Sequence, residues 1–233
     1  EQVKEALSLH GYEYIKLIGS GAFSNVFLCQ STKYNNLFAI KQVSKQALIQ
    51  KEINLLISLV HPYIVKLYNT FNDENYQYLV MEYCPENIKQ QGTLNTKKFV
   101  IYARELLEVL DYCHSQNIAH RDIKPDNIFI DKYNHIKLGD FGLANEFLDK
   151  KSSNEKCGSL MFLAPEILSS AKFDPFKADI WALGIPFFYM VTGHYPSKNN
   201  SSDILRSSII FGQIDFFGYN VEPKAQYLIN KML

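Results

Sequence analysis

The run His120, Arg121, Asp122, Ile123, Lys124, Pro125, Asp126, Asn127 and the later triplet Asp140, Phe141, Gly142 bring four useful groups together in the chain. Asp122 can accept a proton, Lys124 can sit beside a phosphate, and Asn127 and Asp140 offer oxygen ligands to a hard cation. That combination suits phosphoryl transfer from a nucleotide to a hydroxyl. Magnesium is the cation such a set favours, because it prefers oxygen ligands and keeps much of its own water.

Two upstream features belong to the same chemistry. Gly19 to Ser24 lies between two β-rich runs, and small residues there let backbone N–H groups approach a triphosphate closely. Taken alone it is a weak signal, since a hairpin turn with two glycines is usually only a turn. Ser24 stands where a G-x-G-x-x-G pattern has its third glycine, and no Gly-Lys-Ser/Thr follows, so this is not a Walker A loop. Lys41 shares a strand face with Ala39 and wants a counter-charge. Glu52 can supply one. Apart from each other, both would read as solvated side chains.

The elements that must position these groups can be read from periodicity. Tyr14 to Ile18, Asn25 to Cys29 and Leu37 to Val43 read as strands, with a turn at Asn35 and Asn36. Ile49, Ile53, Leu56 and Val60 recur at helical spacing, with Glu52 off their stripe. Val65 to Phe71 and Tyr76 to Tyr83 are two further strands, split by a turn at 72–75. After Cys84 and Pro85 the period becomes helical. Phe99, Ala103, Leu106, Leu107, Leu110 and Cys113 form one face of a helix capped by Asn95 or Thr96. Strands 128–130 and 136–138, joined by a turn at 131–135, would bring Asp122, Asn127 and Asp140 to one end of a hairpin. A second apolar helix starts near Lys177 and carries Ile180, Trp181, Leu183 and Met190. Segments 149–156 and 197–202 read as polar loops.

Composition removes several function classes. At 233 residues and 26.9 kDa the chain can bury a full core. Lys plus Arg equals Asp plus Glu at 24 each, so no overall field recruits nucleic acid or an anionic membrane. The apolar runs are too short and interrupted to span a bilayer, and Glu1 opens no signal sequence. Cys29, Cys84, Cys113 and Cys157 show neither zinc-site spacing nor the density of a disulfide scaffold. A reducing compartment, cytoplasmic or nuclear, is expected.

With these residues in place the chain closely resembles a eukaryotic protein kinase from about Tyr14 to Leu233. The motifs keep the family's order: Gly19 to Ser24, Ala39 to Lys41, Glu52, the loop at Asp122, Asp140 to Gly142, Ala164 to Glu166, and Asp179 to Gly184. The resemblance implies an α+β, bilobal protein kinase fold. A small β-rich N-lobe with one helix would cover residues 1–83 and a larger, mainly helical C-lobe residues 84–233, together one catalytic domain. It implies ATP and Mg2+ as cofactors, with Ile18, Gly19, Ser20, Gly21 and Ala22 at the nucleotide. Val26, Ala39 and Phe129 would sandwich the adenine, with Met81 behind it and backbone hydrogen bonds from Glu82 and Cys84. Lys41, held by Glu52, would position ATP, and Asp122 would orient the substrate hydroxyl and accept its proton. Lys124 would steady the transferring phosphate, while Asn127 and Asp140 hold two magnesium ions. Lys124, with Cys157, Gly158 and Ser159, resembles the serine/threonine branch, and the loop Cys157 to Glu166 the calmodulin-dependent and AMP-activated group. The implied partner is a protein substrate met near Ser159, by a monomeric catalytic domain. Glu86 and Asp126 beside the peptide would favour basic residues upstream of the acceptor.

Departures from the family pattern raise further expectations. An arginine before the catalytic aspartate is usually answered by an activation-loop phosphate. Here Glu155 takes the commonest phosphosite position and could answer Arg121 permanently; alternatively Ser152 or Ser153 is phosphorylated. Pro186 should kink the second apolar helix or end it near Ala182. The Lys41–Glu52 and Cys84–Gly92 separations are short and read as residues absent near 44–46 and 86–90. The family's last helices, with the arginine that pairs with Glu166, would lie beyond Leu233. Two other readings compete with an active kinase: a pseudokinase scaffold, to which loss of Lys41, Asp122 or Asp140 would point, and a small-molecule kinase, which would not explain Ala164 to Glu166. None of those three residues is lost.

Overall fold

The computed structural model describes residues 1–21, 24–45, 49–147, 153–170, 172–196 and 215–233. The chain divides into two compact units, Glu1–Pro85 and Glu86–Leu233.

In the first unit, α1 (Gln2–Leu9) precedes β1 (Tyr12–Ser20), β2 (Ser24–Ser31), β3 (Leu37–Ser44), α2 (Ile49–Ser58), β4 (Leu67–Asn72) and β5 (Tyr76–Glu82). The strands form an antiparallel sheet in the order β1-β2-β3-β5-β4. Strand alternation gives the sheet two different faces. Register places Val26 opposite Lys41, and Ala39 between Leu28 and Met81. The other face carries Phe27, Cys29, Ile40, Phe71, Tyr78 and Val80, and Ala6 and Leu7 of α1 are buried against them. Phe71 and Tyr78 stack at 4.7 Å, and His10 stacks on Phe71 at 4.0 Å. The Asp73 carboxylate closes the β4–β5 turn by accepting from the N–H groups of Asn75 and Tyr76 and from the Tyr78 hydroxyl. The sequence pattern gave no hint of α1, because eight residues with few large apolar side chains leave little helical signal.

The second unit starts with β6 (Glu86–Asn87) and α3 (Ile88–Gln91), a single turn closed by a reciprocal capping box between Asn87 and Gln90. Next comes α4 (Thr96–Ser115), whose first turn is capped by Asn95 accepting from Lys98 N–H at 2.9 Å. β7 (Ile118–Ala119), β8 (Ile128–Ile130), β9 (Ile136–Leu138) and β10 (Asn145–Glu146) follow, then α5 (Pro165–Ser169), α6 (Pro175–Thr192) and α7 (Pro223–Met232). β6, β8 and β9 form one small sheet, and β7 pairs with β10. Phe99 of α4 meets Phe187 of α6 edge-on at 5.6 Å. Ala164, Ile167, Phe173, Ala178 and Trp181 form a second cluster, with Leu233 packed on it. Among the described residues no helix is long and apolar enough to cross a membrane.

Several expectations need correction. Pro186 does not end its helix: α6 runs unbroken to Thr192. Pro186 and its neighbours Gly184, Ile185, Phe187 and Phe188 are buried, so packing from several sides holds the helix against one missing hydrogen bond. In α2 the stripe turns earlier than expected. Val60 is 80% exposed while Leu55, Leu59 and Glu52 are buried. Leu107 is half-buried, and Tyr102, Glu105 and Val109 share the buried face of α4. The stretch 86–90 is fully engaged in β6 and α3, so no gap is needed there to form a short helix. The segment around 46, the first part (149–152) of the polar loop expected at 149–156, and the polar loop at 197–202 lie outside the described residues.

The docking of α1 yields a test. Leu7 is fully buried, so Leu7→Ala should cost about 2–5 kcal/mol. Urea unfolding followed by fluorescence would measure it, and an unchanged midpoint would mean α1 is not docked in solution.

Candidate active site

The hairpin β8–β9 holds the loop that precedes it. Ile128 pairs with Leu138, and Gly139 N–H donates to the Asn127 carbonyl at 3.0 Å, so Asn127 and Asp140 leave the sheet at the same end. Asp122 lies just before this point and is 8% exposed. Its two carboxylate oxygens have different company. Oδ2 takes the Lys124 ammonium at 2.6 Å and the Asn127 amide at 3.0 Å, while Oδ1 takes the Ser159 hydroxyl at 3.2 Å. Lys124 Nζ also reaches Ser159 Oγ at 3.3 Å. One oxygen is held by strong donors, and the other, among the described residues, meets an exchangeable hydroxyl.

Asn127 shows whether a cation would fit. Its Nδ2 donates to the Asp122 carbonyl at 2.8 Å and to Asp122 Oδ2 at 3.0 Å. Both amide hydrogens are therefore used, which assigns the amide orientation and leaves Oδ1 without a hydrogen-bond partner among the described residues. An unpaired amide oxygen on a residue otherwise buried fits a hard cation. Asp140 is exposed and held at φ 59, a left-handed conformation uncommon outside glycine. No cluster of three or more His, Cys, Asp or Glu occurs among the described residues.

The backbone of the loop is pinned from below. Asp179, on α6 and 1% exposed, accepts from His120 N–H and Arg121 N–H at 2.8 Å each and from His114 Nε2 at 3.0 Å. His120 is fully buried; its Nε2 faces the Gly139 carbonyl at 3.0 Å and its Nδ1 accepts from Asp122 N–H at 3.3 Å. Those partners assign the neutral tautomer with the proton on Nε2. Arg121 itself is at φ 65. Its guanidinium donates from Nε to the Leu143 carbonyl at 2.7 Å and from Nη1 to Glu155 at 2.8 Å. Gly158 sits against this turn at φ 103, where a Cβ would fall 2.7 Å from the Arg121 carbonyl oxygen. Only glycine meets both demands.

Among the proposed phosphosites, Ser153 is buried, bridged through its backbone to Phe173, and its hydroxyl accepts from Glu155 N–H. That hydroxyl is not presented to a modifying enzyme in this conformation. Ser152 lies outside the described residues, as does Ala22 at the glycine turn. Burial pushes the Cys157 thiol up, against the pull of the Arg121 guanidinium, and burial pushes Cys29 and Cys113 up to about 12. Such thiols are poor nucleophiles at neutral pH.

In the first unit Lys41 Nζ meets Glu52 Oε1 at 2.7 Å, both side chains largely buried. The pair forms at a separation of eleven residues, so the short spacing does not keep the partners apart. Val26, Ala39 and Met81 lie on the Lys41 face of the sheet, with Gly19 opposite Val26. Ile18 is exposed, Ser20 donates to Asn25, and Gly21 N–H donates to the Ser24 carbonyl at 2.7 Å. Glu82 N–H is committed to the Lys66 carbonyl at 2.8 Å, so a base would meet only its carbonyl; Cys84 is half-buried. In the second unit Phe129 lies on β8 between Asn87 and Lys137. The supports that sequence reasoning passed over as site residues are Asp179, His114, His120 and Gly158. Asp179 stood inside a recognised motif, but nothing in its own neighbourhood disclosed a partner 59 residues away.

Residues 12–233 match the protein kinase domain family model. The chain is 35% identical to the cAMP-dependent protein kinase catalytic subunit of Dictyostelium discoideum, over 97% of this chain and 36% of that protein. Identity is 32% to the Aurora kinase of Eremothecium gossypii, over 97% of this chain and 65% of that protein. To CBL-interacting serine/threonine-protein kinase 18 of Arabidopsis thaliana it is 31%, over 87% and 42%. The chain thus spans less than two thirds of the length of each.

Replacing Asp179 tests the support beneath the loop. Asp179→Asn keeps the volume but sets an amide donor against N–H groups that need an acceptor, which should cost about 2–4 kcal/mol in chemical denaturation. Unchanged stability would show that water can replace this carboxylate.

Proposed function

Because the chain belongs to the protein kinase domain family, we propose that it is the catalytic part of a serine/threonine protein kinase, transferring the γ-phosphate of ATP to a protein hydroxyl with magnesium. The observation that carries this reading is the unequal bonding of the Asp122 carboxylate, with Oδ2 anchored and Oδ1 open to a hydroxyl. An incoming serine or threonine hydroxyl would donate to Oδ1 in place of Ser159. As its oxygen bonds to phosphorus and the bond to the leaving ADP oxygen breaks, the proton passes to Asp122. Lys124 stays beside the incoming oxygen, where its charge offsets negative charge on the transferred group. Asn127 Oδ1 and Asp140 would hold the magnesium, whose charge neutralises the phosphates when bound. Lys41, oriented by Glu52, would hold the α- and β-phosphates, and Val26, Ala39 and Met81 on the same sheet face would frame the base. The acceptor class is supported by Lys124 and its contact to Ser159. The narrower placement in the calmodulin-dependent and AMP-activated group rests on the loop Cys157 to Glu166 alone. Work in a reducing compartment, cytoplasm or nucleus, agrees with the four free thiols, and the domain is read as acting alone.

The Arg121–Glu155 pair supports a catalytic loop neutralised by a permanent carboxylate. Glu155 is mostly exposed, so its effect on rate should be modest.

Two measurements test these readings. Asp122→Asn should lower kcat on a serine peptide by about 10²–10⁴-fold while ATP still binds, and equal turnover by this variant would defeat the assignment. Phosphatase-treated wild-type protein should remain active, and Glu155→Ala should lower kcat by about threefold to tenfold. Activity that disappears on dephosphorylation, with no effect of Glu155→Ala, would assign the charge of Arg121 to a phosphoserine instead.

A further inference from the structure

The surface beside Asp122 closes into an arc through contacts the transfer step does not use. Ser159, bonded to Asp122, leads into the short turn Leu160–Phe162. The Phe162 ring meets Tyr195 edge-on at 5.9 Å, and the Tyr195 and Tyr189 rings lie 5.0 Å apart. The Tyr189 hydroxyl donates to the Lys89 carbonyl at 3.1 Å, and Lys89 Nζ meets Asp126 Oδ1 at 2.9 Å. Asp126 lies in the turn Pro125–Asn127, back in the catalytic loop. The contacts thus begin at Asp122 and return to its own loop at Asp126.

The charge of Asp126 is already answered. Asp126, with its side chain 41% exposed, would by itself attract an arginine or lysine on the substrate, but Lys89 occupies it. The lysine is delivered from a fixed base, since α3 is closed by its capping box and Tyr189 holds the Lys89 carbonyl. The Asp126 carboxylate in turn holds Lys89 above the usual lysine range, so the cation persists at any physiological pH. Glu86, the other acidic residue expected to read basic substrates, accepts from the Gln91 amide, a neutral donor that leaves its charge in place. A cation on the substrate would have to displace Lys89 or lie beside a like charge, which is unfavourable.

We propose that Lys89 is a specificity-determining residue: by occupying Asp126 it weakens selection for basic residues at that carboxylate and leaves the half-buried Tyr195 and Tyr189 rings to receive an uncharged apolar side chain. This rests on the protein kinase reading above and reverses the expectation of a basic upstream preference. The occupant is the flanking segment of a protein substrate, recognised through aromatic contact.

The test compares two peptides with the same serine acceptor, one with leucine and one with arginine among the three residues upstream of it. Wild-type enzyme should prefer the leucine peptide in kcat/KM. Lys89→Met should move the ratio toward the arginine peptide by about fivefold, the range of an exposed ion pair, and Lys89→Met with Asp126→Asn should move it back. A wild-type preference for arginine, or a ratio unmoved by Lys89→Met, would overturn the proposal while leaving the kinase assignment intact. No turnover of either peptide by protein that binds ATP would overturn both.

Discussion

The buried carboxylate of Asp179 is the constraint on which the catalytic loop depends. A carboxylate at 1% exposure costs several kcal/mol of desolvation unless its oxygens are filled, and here the fillers are two successive backbone N–H groups and a histidine ring. Two neighbouring N–H groups can reach one carboxylate only if the chain turns sharply between them. Arg121 accordingly sits in the left-handed region, and its side chain is sent toward Leu143 and Glu155. From that turn follow the neutral tautomer of His120, the aim of Asp122 and the glycine requirement at 158. Strain of this kind persists because several bonds over-determine it.

The same economy of local pairing recurs elsewhere. A chain with equal numbers of acidic and basic residues has no long-range field to guide an anion, so each useful charge is set by an immediate partner. Lys41 has Glu52, Lys124 has Asp122, Arg121 has Glu155, and Lys89 has Asp126. Their environments differ. Lys41 and Glu52 are enclosed, where removing one partner leaves a buried charge, whereas Lys89 and Asp126 are open to water, so a substrate cation competes for Asp126 against a lysine already in place. Enclosed pairs suit positioning and exposed pairs suit selection, because only an exposed pair can be challenged by an incoming substrate.

Much of this was legible in the sequence where the geometry is short-ranged. The hairpin from Ile128 to Leu138, the Asn95 cap and the alternation that sets Ala39 and Lys41 on one face depend on neighbours a few residues apart, and local backbone preferences decide them. Where packing overrides propensity, reading failed. Pro186 should stop a helix, yet α6 continues because it is buried among apolar side chains. Glu52 by its own neighbourhood on α2 would read as a solvent residue, and only the expected pairing with Lys41 of β3 makes its burial tolerable. α1 gave no signal because its stability comes from the sheet face it covers.

The sequence by itself determined which chemical groups exist and the order in which the chain presents them: a carboxylate, a lysine, an amide and a second carboxylate around a short hairpin. Tertiary structure decided which oxygen of Asp122 stays open, that Asp179 supports the loop from 58 and 59 residues away, and that Asp126 is already claimed by Lys89. The reason is physical. Contacts between groups far apart in the chain depend on burial and on the closing of many other contacts at once, and no residue carries that information in its own type or its neighbours' spacing.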